Sequence, residues 1–188
     1  MDSAPAPDLT SLLERAAEGD PVAQQELWSS CYEQLRLIAS AALQRWNGRV
    51  SLQSTEVLHE AFTRLVDRSR ITTRGQNYFL KCFATECRRL LVEHWRSRHA
   101  LARGGNRERV TMVSDVLPGT TEGMDLLELS DVIDALARAD ARAAQIVDLR
   151  LFGGLSVAEC SETLGIAIRT VELDWTFAKA WLQRKLAR

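Results

Sequence analysis

The side chains best equipped for chemistry in this chain are arginines, and their spacing suits gripping an anion, not turning over a substrate. Arg68, Arg70 and Arg74 precede a helical stretch that carries Arg88, Arg89, Arg96 and Arg98. Guanidinium forks match phosphates and base edges through paired hydrogen bonds. Residues 64–109 hold twelve basic side chains against four acidic ones, a local net of +8. A solvated helix face ordinarily mixes signs, so this excess argues for a polyanionic partner. Tyr78, Phe79, Phe83 and Trp95 lie among the cations. Exposed aromatics there would stack on unpaired bases, although the spacing of Phe83 and Trp95 favours plain core positions.

Other chemistries find little support. The histidines are His59, His94 and His99; the last two stand five apart, with no HExxH spacing and no Cys partner. No metal, cofactor or catalytic constellation is expected, and the chain does not read as an enzyme. Cys31, Cys82, Cys87 and Cys160 form no CxxC pair and sit among apolar residues, as buried thiols in a reducing compartment do. No apolar run approaches the roughly 18–20 residues that cross a bilayer. Met1 to Asp8 is Ala/Pro-rich and acidic, unlike a secretory leader, so a cytoplasmic location is expected. The basic block lies between acidic ones: residues 1–63 net −5, 110–148 net −6 and 149–188 net +2, which with +8 sum to the formal −1.

The elements that must position these residues are helical throughout, and an all-α fold is predicted. Between Pro21 and Pro118 no proline interrupts the 3.6-residue periodicity. Asp20 caps a helix begun at Pro21, which places Leu27, Trp28, Cys31, Leu35, Ile38 and Ala42 on one face and ends near Asn47-Gly48. A second helix starts near Ser54 with Val57, Leu58, Ala61, Phe62, Leu65 and Val66 inward. After a loop over 67–76, a third runs from about Asn77 to Leu101 around Phe79, Leu80, Phe83, Cys87, Leu91 and Trp95. A short helix over 9–18 completes a bundle of four. From Gly104 to Gly123 the pattern lapses into a linker. Helices then return: one around Leu126 to Ala137, one around Ala143 to Leu151, a break at Phe152-Gly153-Gly154, and two more over 156–164 and 168–186. Three units follow: 8–103, a linker 104–124, and 125–188.

The last two helices read as a helix-turn-helix. Ser156 with Glu159 makes a capping box, and Gly165 supplies the positive φ of a tight turn. Ile166 plugs the core, and Val171, Trp175, Ala178 and Leu182 form the buried face of a helix that could enter a major groove. An ordinary helical hairpin would show much the same pattern.

Taken together, SLQSTEVLHEAFTRLVD, CRRLLVEHWRSRHALARGG and SVAECSETLGIAIRTVELDWTFAKAWL resemble the extracytoplasmic-function (ECF) sigma factors of the sigma-70 family, over nearly the whole chain and in the expected order. The resemblance implies an RNA polymerase sigma subunit. Residues 8–103 would be a sigma-two domain that docks on the β′ clamp helices and melts the −10 element. Residues 125–188 would be a sigma-four domain that binds the −35 duplex while resting on the β flap. It places Arg68, Arg70, Arg74, Asn77, Arg88, Arg89, Glu93, His94 and Arg96 at the −10 element. Arg169, Thr170, Leu173 and Lys179 fall at the −35 element, and Glu56, His59, Glu60 and Arg64 at the polymerase. A Ser/Thr kinase or an anti-sigma factor are the regulatory partners to expect.

Two segments depart from the family pattern. Where relatives carry an acidic run, this chain has Gln53-Ser54-Thr55-Glu56, so phosphorylation of Ser54 or Thr55 could restore the charge; the plainer reading of Ser54 is a helix N-cap. Where relatives have a cap and then cations, it has Ala167-Ile168 and Glu172-Leu173-Asp174, which predicts weak −35 binding. The alternatives are a helix-turn-helix regulator acting without core polymerase, and a helical adaptor that leaves the arginine excess unexplained.

Overall fold

The computed structural model describes residues 9–44, 52–67, 75–101 and 126–186. Among these the fold is all-α, with α1 (Leu9–Ala17), α2 (Pro21–Gln44), α3 (Ser54–Asp67), α4 (Gly75–Leu101), α5 (Leu126–Ala139), α6 (Ala141–Val147), a π-helical turn (Asp148–Phe152), α7 (Val157–Leu164) and α8 (Ile168–Leu186). The expected helices are all present. The expected end near Asn47-Gly48 and the linker over 104–124 lie outside the described residues.

Asp20 caps α2 as its position predicted: Oδ1 accepts from the backbone N–H groups of Val22, at 2.9 Å, and Ala23, at 3.2 Å. The inward face of α2 is then Ala23, Leu27, Cys31, Leu35, Ile38, Ala39 and Ala42, all buried. With Val57, Leu58, Ala61 and Leu65 of α3 and Leu12, Leu13 and Ala16 of α1, this face closes around α4. Apolar burial of this kind supplies about 25 cal/mol per Å² and holds the four-helix group together.

The second helical stretch departs from simple periodicity. The helix expected from Ala143 to Leu151 is α6 followed by the π-helical turn, in which Gly153 N–H donates to Asp148 O at 2.9 Å. Asp148, Leu149, Leu151 and Phe152 of that turn are all buried. Beyond it, Ser156 and Glu159 form the predicted capping box, and Gly165 takes the left-handed conformation at φ 64° that ends α7. Val171, Trp175, Ala178 and Leu182 make the buried face of α8, as the spacing required.

α4 is the element both groups share. It packs on α1, α2 and α3 on one side and on α5, the π-helical turn and α7 on the other. Of its predicted inward residues Phe79, Phe83, Cys87, Leu91 and Trp95 are buried and Leu80 is half-buried, but Ala84, Glu86, Arg88 and Val92 are buried too. α4 is therefore covered on two sides and open on a third, where Arg89, Glu93 and Arg96 stand exposed.

Candidate nucleic-acid interface

The basic residues of α4 divide by face. Periodicity put Arg88 on the solvent side; instead it is 5% exposed, enclosed by the C-terminal helices. Its Nη1 donates to Ser130 Oγ at 2.8 Å and its Nη2 to Asp134 Oδ1 at 2.9 Å. Its Nε lies 2.9 Å from Asp148 Oδ1, an ion pair without hydrogen-bond alignment. The other Asp148 oxygen accepts from Thr85 Oγ1 at 2.8 Å, so α4 supplies a cation and a hydroxyl donor to one buried carboxylate. Burial pushes the Asp148 carboxyl above the usual range, opposed by Arg88 and Thr85.

Arg89 is exposed, with Nη1 3.3 Å from the carboxylate of buried Glu86. Glu93 is exposed and accepts from Arg64 Nη1 at 2.8 Å. His94 is half-buried, and Arg96 is exposed, with Nη2 3.8 Å from Asp131 on α5. Asn77, near the start of α4, donates from Nδ2 to Glu162 O of α7 at 3.0 Å. Arg68, Arg70 and Arg74 lie outside the described residues. The aromatics are not an exposed stacking platform: Phe79, Phe83 and Trp95 are core, and only Tyr78 is half-exposed, with Lys81 Nζ 5.2 Å from its ring centre.

On α3 the side chains form a second surface. The Glu56 carboxylate accepts from Gln53 N–H at 2.7 Å, and the helix begins at Ser54, so Gln53 and not Ser54 takes the cap position. Thr55 is exposed and Ser54 half-buried. Arg64 joins Glu60 at 2.8 Å to Glu93, tying α3 to α4. The feature sequence reasoning missed is the ring stack of His59 on Trp28, with centres 4.6 Å apart and planes at 28°. Phe62 and Tyr32 meet Trp28 edge-on. Trp28 and Tyr32 lie on α2 and His59 and Phe62 on α3, and only the α2–α3 packing brings them together.

On α8 the side opposite the buried face carries Arg169, Glu172, Leu173 and Phe177, all exposed. Arg169 Nη1 lies 3.6 Å from Glu172. Leu173 is 55% exposed. Thr170 and Lys179 are half-buried; Lys179 Nζ lies 5.8 Å from the Trp175 ring centre, over the flank of the helix. Asp174, which sequence alone counted against anion binding, is turned aside: it takes a two-pronged pair from Arg142 of α6, at 2.5 and 3.2 Å. The buried thiols are unreactive, since burial pushes Cys31 up to about 11 and Cys160 up to about 12.

A helical bundle with a basic fourth helix, packed on a helix-turn-helix, is the make-up of a DNA-binding protein of transcription. The family model for the ECF sigma factor matches residues 6–188, and the chain belongs to that family. It is an alternative sigma factor for transcription initiation, a partner of core RNA polymerase and promoter DNA, and its family is not one of enzymes. Among curated proteins none matches the chain. Among the described residues no helix is long and apolar enough to cross a membrane.

Proposed function

We propose that the chain divides promoter recognition between its two helical groups in the cytoplasm. Residues 8–103 act as the sigma-two domain, 125–188 as the sigma-four domain, and 104–124 connect them. Arg88, Arg89, Glu93, His94 and Arg96 of α4, with Asn77 and the preceding Arg68, Arg70 and Arg74, engage the −10 element. Arg169 and Leu173, flanked by Thr170 and Lys179, engage the −35 element. Glu56, His59, Glu60 and Arg64 meet the polymerase. The observation that carries this reading is the helix-turn-helix of α7 and α8, whose outward face keeps Arg169 and Leu173 free of the core.

Phosphorylation by a Ser/Thr kinase regulates the polymerase contact in this reading, and an anti-sigma factor is the other regulator to seek. Thr55 is the favoured acceptor: it is exposed in the first turn of α3, where added negative charge also suits the helix dipole. Binding to purified core polymerase, then transcription from a promoter library, tests the assignment. Tight association with promoter-specific initiation is the expected outcome. Initiation without this chain's contribution would favour a regulator or an adaptor instead. Thr55→Asp should tighten core binding; unchanged affinity for both it and Ser54→Asp would sink the switch.

A further inference from the structure

We propose that Glu86, a carboxylate buried on α4, is a positioning residue for promoter reading: it buttresses Arg89, so that this guanidinium reads one guanine of the −10 element. The idea rests on the reading of α4 as the helix that engages that element, and it assigns a specificity to one of its cations.

Glu86 is 1% exposed, yet two guanidinium groups reach it. Arg89 Nη1, one turn further along α4, donates to Glu86 Oε2 at 3.3 Å. Arg64 Nη1 arrives from α3 and lies 3.6 Å from Glu86 Oε1. Arg64 is held in turn by Glu60 and by Glu93, each at 2.8 Å. Glu86, Arg89 and Glu93 stand three and four residues apart, so they share one face of α4.

Stability alone does not account for this carboxylate. A charge taken from water recovers its desolvation cost only with good pairing, and an uncharged side chain of similar volume often serves the fold equally well. What a fixed carboxylate supplies is direction. Arg89 is 53% exposed, and a long exposed side chain otherwise samples many rotamers. Among the described residues Glu86 is the one acid in ion-pair contact with it. A guanidinium has five N–H donors, so a group anchored through one nitrogen keeps a fork for an outside acceptor. Arg64 balances part of the Glu86 charge, which leaves Arg89 a cation toward its outer side.

Direction separates reading a base from holding a phosphate. A phosphate accepts a guanidinium from many angles and carries no sequence information. The O6 and N7 edge of guanine accepts two N–H groups in one plane. A buttressed Arg89 therefore favours guanine, and an unbuttressed one grips phosphate without choosing a base.

The test is initiation by holoenzyme reconstituted from core RNA polymerase and the full-length chain, on promoters randomised across the −10 element with the −35 element fixed. Wild type, Glu86→Gln, Arg89→Ala and the double variant are each scored as ratios between promoters differing at one base. Ratios taken within one holoenzyme cancel losses of folding or of core binding, which a merely structural Glu86 would impose on all promoters alike. Wild type should favour guanine at one position about tenfold, as a paired base contact does. Glu86→Gln should lower that preference about fivefold, the scale of leaving one long side chain to be ordered on binding. Arg89→Ala should abolish it, and the double variant should match Arg89→Ala. If Glu86→Gln supports no initiation, Glu86→Asp, its carboxylate drawn back by one methylene, should show a smaller loss at the same position. Ratios unchanged in the Glu86 variants, or changed as much in the Arg89→Ala background, would overturn the proposal and leave Arg89 at the −10 element. So would an Arg89-dependent position that prefers another base. If no position responds to Arg89→Ala, the assignment of Arg89 to the −10 element fails, and the buttress falls with it.

Discussion

Arg88 and Asp174 show how single residues escape a sequence reading. Both lie at positions that a helical wheel turns toward water, yet each is engaged by a partner from another helix, Arg88 by Asp134 and Asp148 and Asp174 by Arg142. Long-range charge pairing leaves no periodic trace, so sequence could identify the arginine excess and not its internal use. The buried pair also carries an energetic expectation. Removing one partner of a buried ion pair costs about 3–5 kcal/mol, so Asp148→Ala should lower stability by that order in chemical denaturation, while Arg89→Ala should shift it by less than about 0.5 kcal/mol. Leu173, by contrast, is legible in place and surprising in type. An aliphatic side chain on the outward face of a recognition helix can meet a thymine methyl, a contact of about 1 kcal/mol. Replacing thymine with deoxyuridine in the −35 element should therefore weaken binding by the wild-type holoenzyme roughly fivefold and leave Leu173→Ala nearly unaffected. Equal effects on both proteins would mean that Leu173 does not read the base.

At the scale of elements, caps and turns were the most legible features because their chemistry is local. Ser156, Glu159 and Gly165 fix α7 within ten residues of chain, and each behaves in the structure as its type requires. The π-helical turn was not legible: Asp148 to Phe152 continues an apolar pattern acceptable to an α-helix, and only tertiary packing selects the i to i+5 bond. The second buried face of α4 was hidden for a similar reason, since the polar Thr85 and Arg88 hold it to the C-terminal helices. The capping box makes a pH-dependent prediction. Hydrogen bonds from the Ser156 hydroxyl and backbone N–H hold the Glu159 carboxyl below its usual range. An acid depressed in the folded state contributes stability above its unfolded pKa and loses it as pH falls through the folded one. Ser156→Ala should cost about 1 kcal/mol near neutrality, and the deficit should shrink on acidification through the carboxylate range. A deficit constant with pH would place the effect outside the cap.

For the whole molecule, the four-helix group and the helix-turn-helix were both readable, whereas their mutual packing was not, because nothing local encodes which surfaces meet. Gly154 marks one such meeting. It holds φ 71°, and a Cβ there would stand 2.6 Å from Ala41 Cβ of α2. Gly165, at φ 64°, has open space beside it. Gly165→Ala should cost only the left-handed backbone, about 1–2 kcal/mol, whereas Gly154→Ala adds a clash between the groups and should cost more and loosen their packing. Equal costs for the two would argue that the contact at Ala41 gives way freely. The burial of the Arg88–Asp148 pair, with side chains 6% and 7% exposed, has one further consequence. Dissolved ions screen a buried pair weakly but erode phosphate contacts steeply. Rising ionic strength should therefore weaken promoter contacts while leaving this internal pair, and the packing it holds, nearly untouched.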